Sequence, residues 1–287
     1  MCRVIVKSLF CLFVTLHVTN AYKPVIFMHG ILSDPDEADT LFQWIKQDHP
    51  GTVTFTIDMY NKLDSLVNMM EQVDQVGKVM MKFMQQHPDG VNLICFSQGG
   101  LVCRGVLEQF SHNVDTFISL SSPQSGQFGD TDYVKYVFPN LLRDNVYKIA
   151  YSNEGQNISV GNYWNDPHHQ DLYKEHSEFL AVLNNDTFNQ NSKEYKANFL
   201  RLRRLVMIGG KDDGVITPWQ SSHFAFYDEK LNIVEIKDQK WYTNDMFGLQ
   251  SLDKRGGLFI REIPGVQHTH WHSTYSVYKD HILPFLS

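Results

Sequence analysis

The feature that most restricts this chain is an apolar run, VNLICF (91–96), that passes without a spacer into Ser-Gln-Gly-Gly and then a helix-forming stretch to about Ser111. A continuous apolar run of this kind is the pattern of a strand buried on both faces. Ser97, at its end, then stands on a very tight turn. The residues two before and two after it must be small, or their Cβ atoms would collide across the turn. Gly99 is the residue after; Cys95, small but not the smallest, is the residue before. The turn lifts the Ser97 hydroxyl above the carboxyl edge of the sheet, where open α/β folds bind ligands.

Other segments fit such a sheet. PVIFMHG (24–30) is a second apolar, β-branched run ending in glycine, and TVTFTID (52–58) reads as a strand. From about Ser65 to Gln86 apolar residues recur at helical spacing, with a methionine stripe of the kind that fills cores. VDTFISLS (114–121) is a further strand. Strands alternating with helices predict a mostly parallel sheet flanked by helices on both faces. After SSP (121–123) the alternation stops, and residues 124–203 are predicted to form an inserted cap or lid, too long for an ordinary loop. The sheet is expected to resume at RLVMIGG (204–210), NIVEIK (232–237) and GLFIREI (257–263), with a last helix around STYSVYKDHILPFL (273–286). The expected organisation is one domain over 22–287, preceded by a leader.

That leader is residues 1–21. A basic start (MCRVIVK), an apolar run too short to span a bilayer and a small-residue end at Thr19 and Ala21 have the layout of a secretory signal peptide. No later segment stays apolar long enough to form a stable membrane span. Without Arg3 and Lys7 the chain holds 23 basic and 32 acidic residues, a formal charge of −9, which argues against nucleic acid as a partner. Only Cys95 and Cys103 remain, and in an oxidising compartment the expectation is that they pair. Two glycosylation sequons, at Asn157 and Asn185, suit the same route.

A serine hydroxyl is a weak nucleophile and needs a base and a group that orients the base. GGKDDG (209–214) follows a later strand, where an acid belongs, and GVQHTHWH (265–272) follows the last, where a base belongs. The order Ser, Asp, His is that of the α/β-hydrolase fold. The residues alone do not choose among His268, His270 and His272, and the spacing of Asp213 after Gly210 only favours it over Asp212. Gln98, directly after the serine, supplies one backbone N–H of an oxyanion hole by the geometry of the turn, and HGILSD (29–34) has the His-Gly start of a loop that supplies the other. An acyl chain needs an apolar groove, for which Trp219, Phe224 and the aromatic-rich cap are candidates. No cofactor and no metal is implied.

The blocks CFSQGG with LVCR, FISLSSPQSGQFGDTDY, NYWNDPHHQDLY and GGKDDGVITPWQSSHFAFYD resemble the lysosomal palmitoyl-protein thioesterase family, nearest its second type, over essentially the whole chain after residue 21. The resemblance implies hydrolysis of fatty-acyl thioesters, such as acyl-CoA or S-acylated small molecules and peptides, through an acyl-enzyme in the lysosome. It places the nucleophile on Ser97, the acid on Asp213, the base on His268 and the second oxyanion amide on Ile31. It also leads one to expect further cysteine pairs, yet Ala150 and Gly161 stand where cysteines would be, which bears on the rigidity of the cap. Three other readings share parts of the pattern. An ester lipase or esterase shares every motif, a non-catalytic lumenal lipid-binding protein shares the scaffold, and a metal enzyme would use the histidine-dense HTHWH and DPHHQD.

Overall fold

The computed structural model describes residues 22–129 and 145–286; the expected leader and part of the expected cap lie outside them. The strands are β1 (Val25–Met28), β2 (Thr54–Thr56), β3 (Val91–Phe96), β4 (Val114–Leu120), β5 (Arg204–Gly209) and, after a small hairpin of β6 (Phe226–Tyr227) and β7 (Ile233–Val234), β8 (Leu258–Glu262). Six of them form a sheet of order β2-β1-β3-β4-β5-β8, with every neighbouring pair parallel. This is the α/β-hydrolase fold.

Side chains alternate across this sheet with the period of two that a pleated strand imposes. Ile26, Met28, Leu93, Cys95, Phe117, Leu205 and Met207 enter one core, beneath α2 (Met69–Gln85), α3 (Gln98–Gln109) and residues from 146–202. Val25, Phe27, Ile94, Phe96, Ile118, Val206 and Ile208 enter the other, against α1 (Asp39–Asp48) and the C-terminal segment. Burial on both faces is why the strands read as unbroken apolar runs.

The direction in which strands are added to the sheet reverses between β1 and β3. From β1 the chain steps outward to β2, then returns across β1 to begin β3 and continue in the opposite direction. The loops after β1 and β3 therefore diverge and leave a crevice at their carboxyl ends, the position at which open parallel sheets place ligands. Helix α2 begins later than its apolar pattern predicts. Lys62–Leu66 forms a separate 3-10 turn, and Asn68 caps α2 by accepting from the N–H groups of Met70 (2.8 Å) and Glu71 (3.3 Å).

Two other expectations are corrected. NIVEIK does not join the sheet: Ile233 and Val234 pair antiparallel with Phe226 and Tyr227, and Ile236–Asp238 turns away as 3-10 helix. The hairpin is set by Asp228, whose carboxylate accepts from the N–H groups of Lys230 and Asn232, both at 2.8 Å. The last helix is broken into Tyr275–Val277, a wider turn over Tyr278–Ile282 and a 3-10 turn over Leu283–Phe285. Pro284 lacks the N–H that a continuous α-helix would require there.

Between β4 and β5 the described residues form short helical turns, a two-turn helix over Gln170–His176 and α4 (Ser192–Phe199), which packs on α3. The turns Tyr147–Ala150, Asn153–Gln156 and Ser159–Asn162 carry the two positions where the resemblance led us to expect cysteines. Gln156 joins them instead: its buried amide donates to the carbonyls of both Ala150 (2.6 Å) and Gly161 (3.0 Å). Its own oxygen accepts from Asn162 Nδ2 and Glu178 N, both at 2.9 Å. A Cβ at 161 would overlap the Gly155 carbonyl, so the backbones approach too closely for a larger side chain there.

Candidate active site

Ser97 follows β3 with φ 52° and ψ −129°, outside the regions that L-residues favour. The tight turn that forces this conformation also forces its neighbours to be small. A Cβ at 99 would strike the carbonyl of His29, and one at 30 would sit 3.1 Å from Ser97 Cβ. Cys95 and Cys103 form a disulfide across a separation of eight residues, with Cα atoms 6.6 Å apart. The bridge ties the end of β3 to the second turn of α3, behind the serine.

The loops at the carboxyl ends of β5 and β8 bring Asp213 and His268 to the same place. Ser97 Oγ lies 2.8 Å from His268 Nε2, and His268 Nδ1 lies 2.8 Å from Asp213 Oδ2. A carboxylate only accepts, so Nδ1 carries the hydrogen and Nε2 is left to accept from the serine. All three side chains are buried, and the His268 ring rests against Phe96 with centroids 4.9 Å apart. Serine is thus set against a base whose tautomer is fixed by an acid.

Five donors converge on Asp213. Oδ2 accepts from Ser121 Oγ (2.6 Å), His268 Nδ1 (2.8 Å) and Trp271 Nε1 (2.7 Å); Oδ1 accepts from the N–H groups of Val215 (3.0 Å) and Ile216 (2.8 Å). Burial pushes this acid up, but the bonds from His268, Ser121 and Ile216 outweigh it and hold the carboxyl below its ordinary value. Asp212 instead accepts from Gly265 N (2.7 Å), joining the β5 loop to the loop after β8.

The three histidines of HTHWH separate. His268 faces Ser97, His270 is exposed, and His272 packs on the edge of Phe96, 3.8 Å from Glu37. Burial lowers the His272 imidazole despite the attraction of Glu37. Ser121, Trp271 and Phe96 did not stand out in the sequence, although Ser121 directly follows a strand and Trp271 lies inside the histidine motif. Among the described residues no group of three or more His, Cys, Asp or Glu side chains is placed to hold a metal ion.

The N–H of Gln98 is the first of α3, and a first-turn amide has no intrahelical acceptor. In the loop after β1, Gly30 N donates to Glu37 Oε2 (3.2 Å) and Leu32 N to Ser65 Oγ (2.8 Å), so the amides flanking Ile31 are taken. Of the two groove candidates, Phe224 is 1% exposed and packs against the Arg104 guanidinium (5.0 Å) and, tilted, against Phe247 (5.5 Å). It is packed within the core that includes α3. Trp219 is half-buried beside an open depression of about 330 Å³ shared with Lys211, Gly214 and Ile216 of the acid's loop. Asn157 is exposed and Asn185 half-buried in a turn with φ 57°.

A strained serine after a central parallel strand, hydrogen-bonded through histidine to a buried aspartate, has the architecture of the serine hydrolases of the α/β-hydrolase fold. The crystal structure of Aspergillus fumigatus lipase B shares that fold, with a TM-score of 0.53 and 13% identity over 91% of this chain and 51% of that one. The family model for palmitoyl protein thioesterase matches residues 24–268. The chain is 48% identical over 268 residues to lysosomal thioesterase PPT2 of Homo sapiens, covering 93% of this chain and 89% of that protein. It is 42% identical over 285 residues to the Drosophila melanogaster PPT2 homologue, covering 99% and 98%. The chain belongs to the palmitoyl protein thioesterase family.

Proposed function

We propose that this chain is a lysosomal thioesterase that hydrolyses fatty-acyl thioesters through an acyl-enzyme on Ser97. The observation that carries this reading is the linear relay Ser97 Oγ–His268–Asp213, with both contacts at 2.8 Å. Its kinship with lysosomal thioesterases supports the substrate class and the compartment.

His268 takes the serine proton as Oγ attacks the acyl carbonyl, and Asp213 steadies the resulting imidazolium. The N–H groups of Ile31 and Gln98 receive the oxyanion; preformed donors need no reorganisation as charge develops. Collapse breaks the carbon–sulfur bond, and the thiolate leaves with the proton held by His268. Free thiols have a pKa of about 8.5, so this leaving group demands less acid assistance than an alkoxide. Water, deprotonated by His268, then attacks the acyl-enzyme; the fatty acid is released and Ser97 regains its proton. Residues 124–203 act as the cap that receives the acyl chain, within a single domain over 22–287 whose leader is 1–21.

The test compares palmitoyl-CoA, a palmitoylated peptide and simple lipid esters as substrates for the wild type and Ser97→Ala. Thioester turnover that disappears in Ser97→Ala is expected. Faster turnover of the lipid esters would make the chain an esterase, and absence of turnover together with no labelling by a fluorophosphonate would make it a binding protein.

A further inference from the structure

The relay leaves one neighbouring feature unexplained: how the loop carrying Ile31 is held against the serine. The segment between β2 and α2 holds it at several points. His29 Nε2 lies 3.0 Å from the Met59 carbonyl and 3.1 Å from Asn61 Oδ1, and Lys62 N donates to the Ser33 carbonyl (2.7 Å). Between these points Leu32 N donates to Ser65 Oγ at 2.8 Å. Leu32 itself has φ 56°, a left-handed conformation that is unfavourable for a non-glycine residue and persists only where the surroundings enforce it.

Ser65 also holds the other arm of the oxyanion hole. Its carbonyl accepts from Gln98 Nε2 (2.7 Å), the side chain of the residue whose N–H is the second donor. Its hydroxyl has one hydrogen, directed to the Lys62 carbonyl at 2.5 Å, which leaves its lone pairs to the Leu32 amide. The side chain is buried. One residue therefore touches the loop beside Ile31 and the side chain of Gln98.

We infer that Ser65 is a positioning residue for the oxyanion hole: its hydroxyl fixes the loop after β1 so that the Ile31 N–H meets the same oxygen as the Gln98 N–H. The inference rests on the Ser97 reading given above. Removing the hydroxyl weakens binding of the tetrahedral state and leaves binding of the ground-state acyl chain largely as it was, because the two states differ in charge on that one oxygen.

The experiment measures kcat and KM for palmitoyl-CoA, and the inhibition constant of a palmityl trifluoromethyl ketone, in wild type, Ser65→Ala, Ser65→Thr and Ser97→Ala. The ketone adds to the serine and places a negative oxygen in the hole. In Ser65→Ala, kcat should fall about tenfold with KM within about twofold, and the inhibition constant should rise by about the same tenfold. Ser65→Thr keeps the hydroxyl and should recover most of both. Should Ser65→Ala fold poorly, Ser65→Cys, of similar size and a weaker acceptor, carries the same comparison. Unchanged kcat and inhibition constant in Ser65→Ala, or a rise in KM alone, overturns the inference while an inactive Ser97→Ala leaves the nucleophile in place. Turnover retained by Ser97→Ala overturns the reading beneath it.

Discussion

Two buried carboxyl groups, Asp213 in the loop after β5 and Glu108 near the C-terminal end of α3, are held in opposite ways. Asp213 is 3% exposed and sits 2.8 Å from His268; Glu108, in α3, is 0% exposed and accepts from Arg104 Nε at 2.7 Å. Each is buried and each has a basic partner. Asp213 receives five donors and stays below the ordinary carboxylate value. At Glu108, Oε2 has no hydrogen-bond partner, and burial wins over the attraction of Arg104 and pushes the acid up to about 7. Burial beside a cation does not by itself fix a carboxyl's charge; the hydrogen bonds its oxygens accept weigh against the burial. In the mechanism proposed above, the acid with five donors is the one that stays ionised beside an imidazolium. The Arg104 guanidinium lies over the rings of Phe224 and Phe247, 5.0 and 4.2 Å from their centroids, and donates to the Gln124 carbonyl at 3.0 Å.

The largest effect expected is at the well-donated acid. Asp213→Asn keeps the shape but can present N–H to His268, which favours the wrong tautomer, and kcat for a thioester should fall roughly 10⁴-fold with KM little changed. A loss below tenfold would show that orientation of His268 does not depend on Asp213.

Glu108→Gln probes the poorly donated acid through stability. A folded value near 7 lies above the unfolded value, so the folded state holds a proton that the unfolded state has released. The stability this group contributes is present at low pH and declines as pH rises towards 7. The difference in unfolding free energy between Glu108→Gln and wild type should therefore grow by up to about 1.4 kcal/mol per pH unit between pH 5 and 7. Taking the difference cancels the buried His112 and His223, both lowered to about 4 by burial, which weaken the fold as pH falls. A difference that stays flat would mean that Glu108 is ionised throughout.

Trp271→Phe removes one donor from Asp213 and moves it towards the Glu108 case. Loss of a bond to a charged group should cost about 1.5–3 kcal/mol at neutral pH, read from denaturant melts. Because the folded acid is depressed, that contribution is complete above the unfolded value and is lost as pH falls through the folded one. The variant and wild type should thus converge in strong acid. A penalty independent of pH would assign Trp271 to packing alone.

The sheet was legible because strands buried on both faces leave unbroken apolar runs, and the serine because its turn admits only small neighbours. NIVEIK misled because alternating apolar and charged residues suit a surface hairpin as well as a sheet edge, and the last helix because Pro284 sits inside a good apolar pattern. The histidine was not legible from residue types: three occur at spacing two, and only the resemblance pointed to His268. Ser121, Trp271 and Ser65 were hidden by distance, since they meet Asp213 and Leu32 across 92, 58 and 33 residues. Nothing local in the sequence marks such partners; the order of strands in the sheet brings them together.

The most direct measurement is to mix the protein with palmitoyl-CoA, quench in acid within the first turnovers, and map the acylated peptide by mass spectrometry. A palmitoyl group on the peptide carrying Ser97, absent in Ser97→Ala, is the expected result. Palmitoyl on a different residue, or full turnover by Ser97→Ala, would contradict a serine acyl-enzyme at this site.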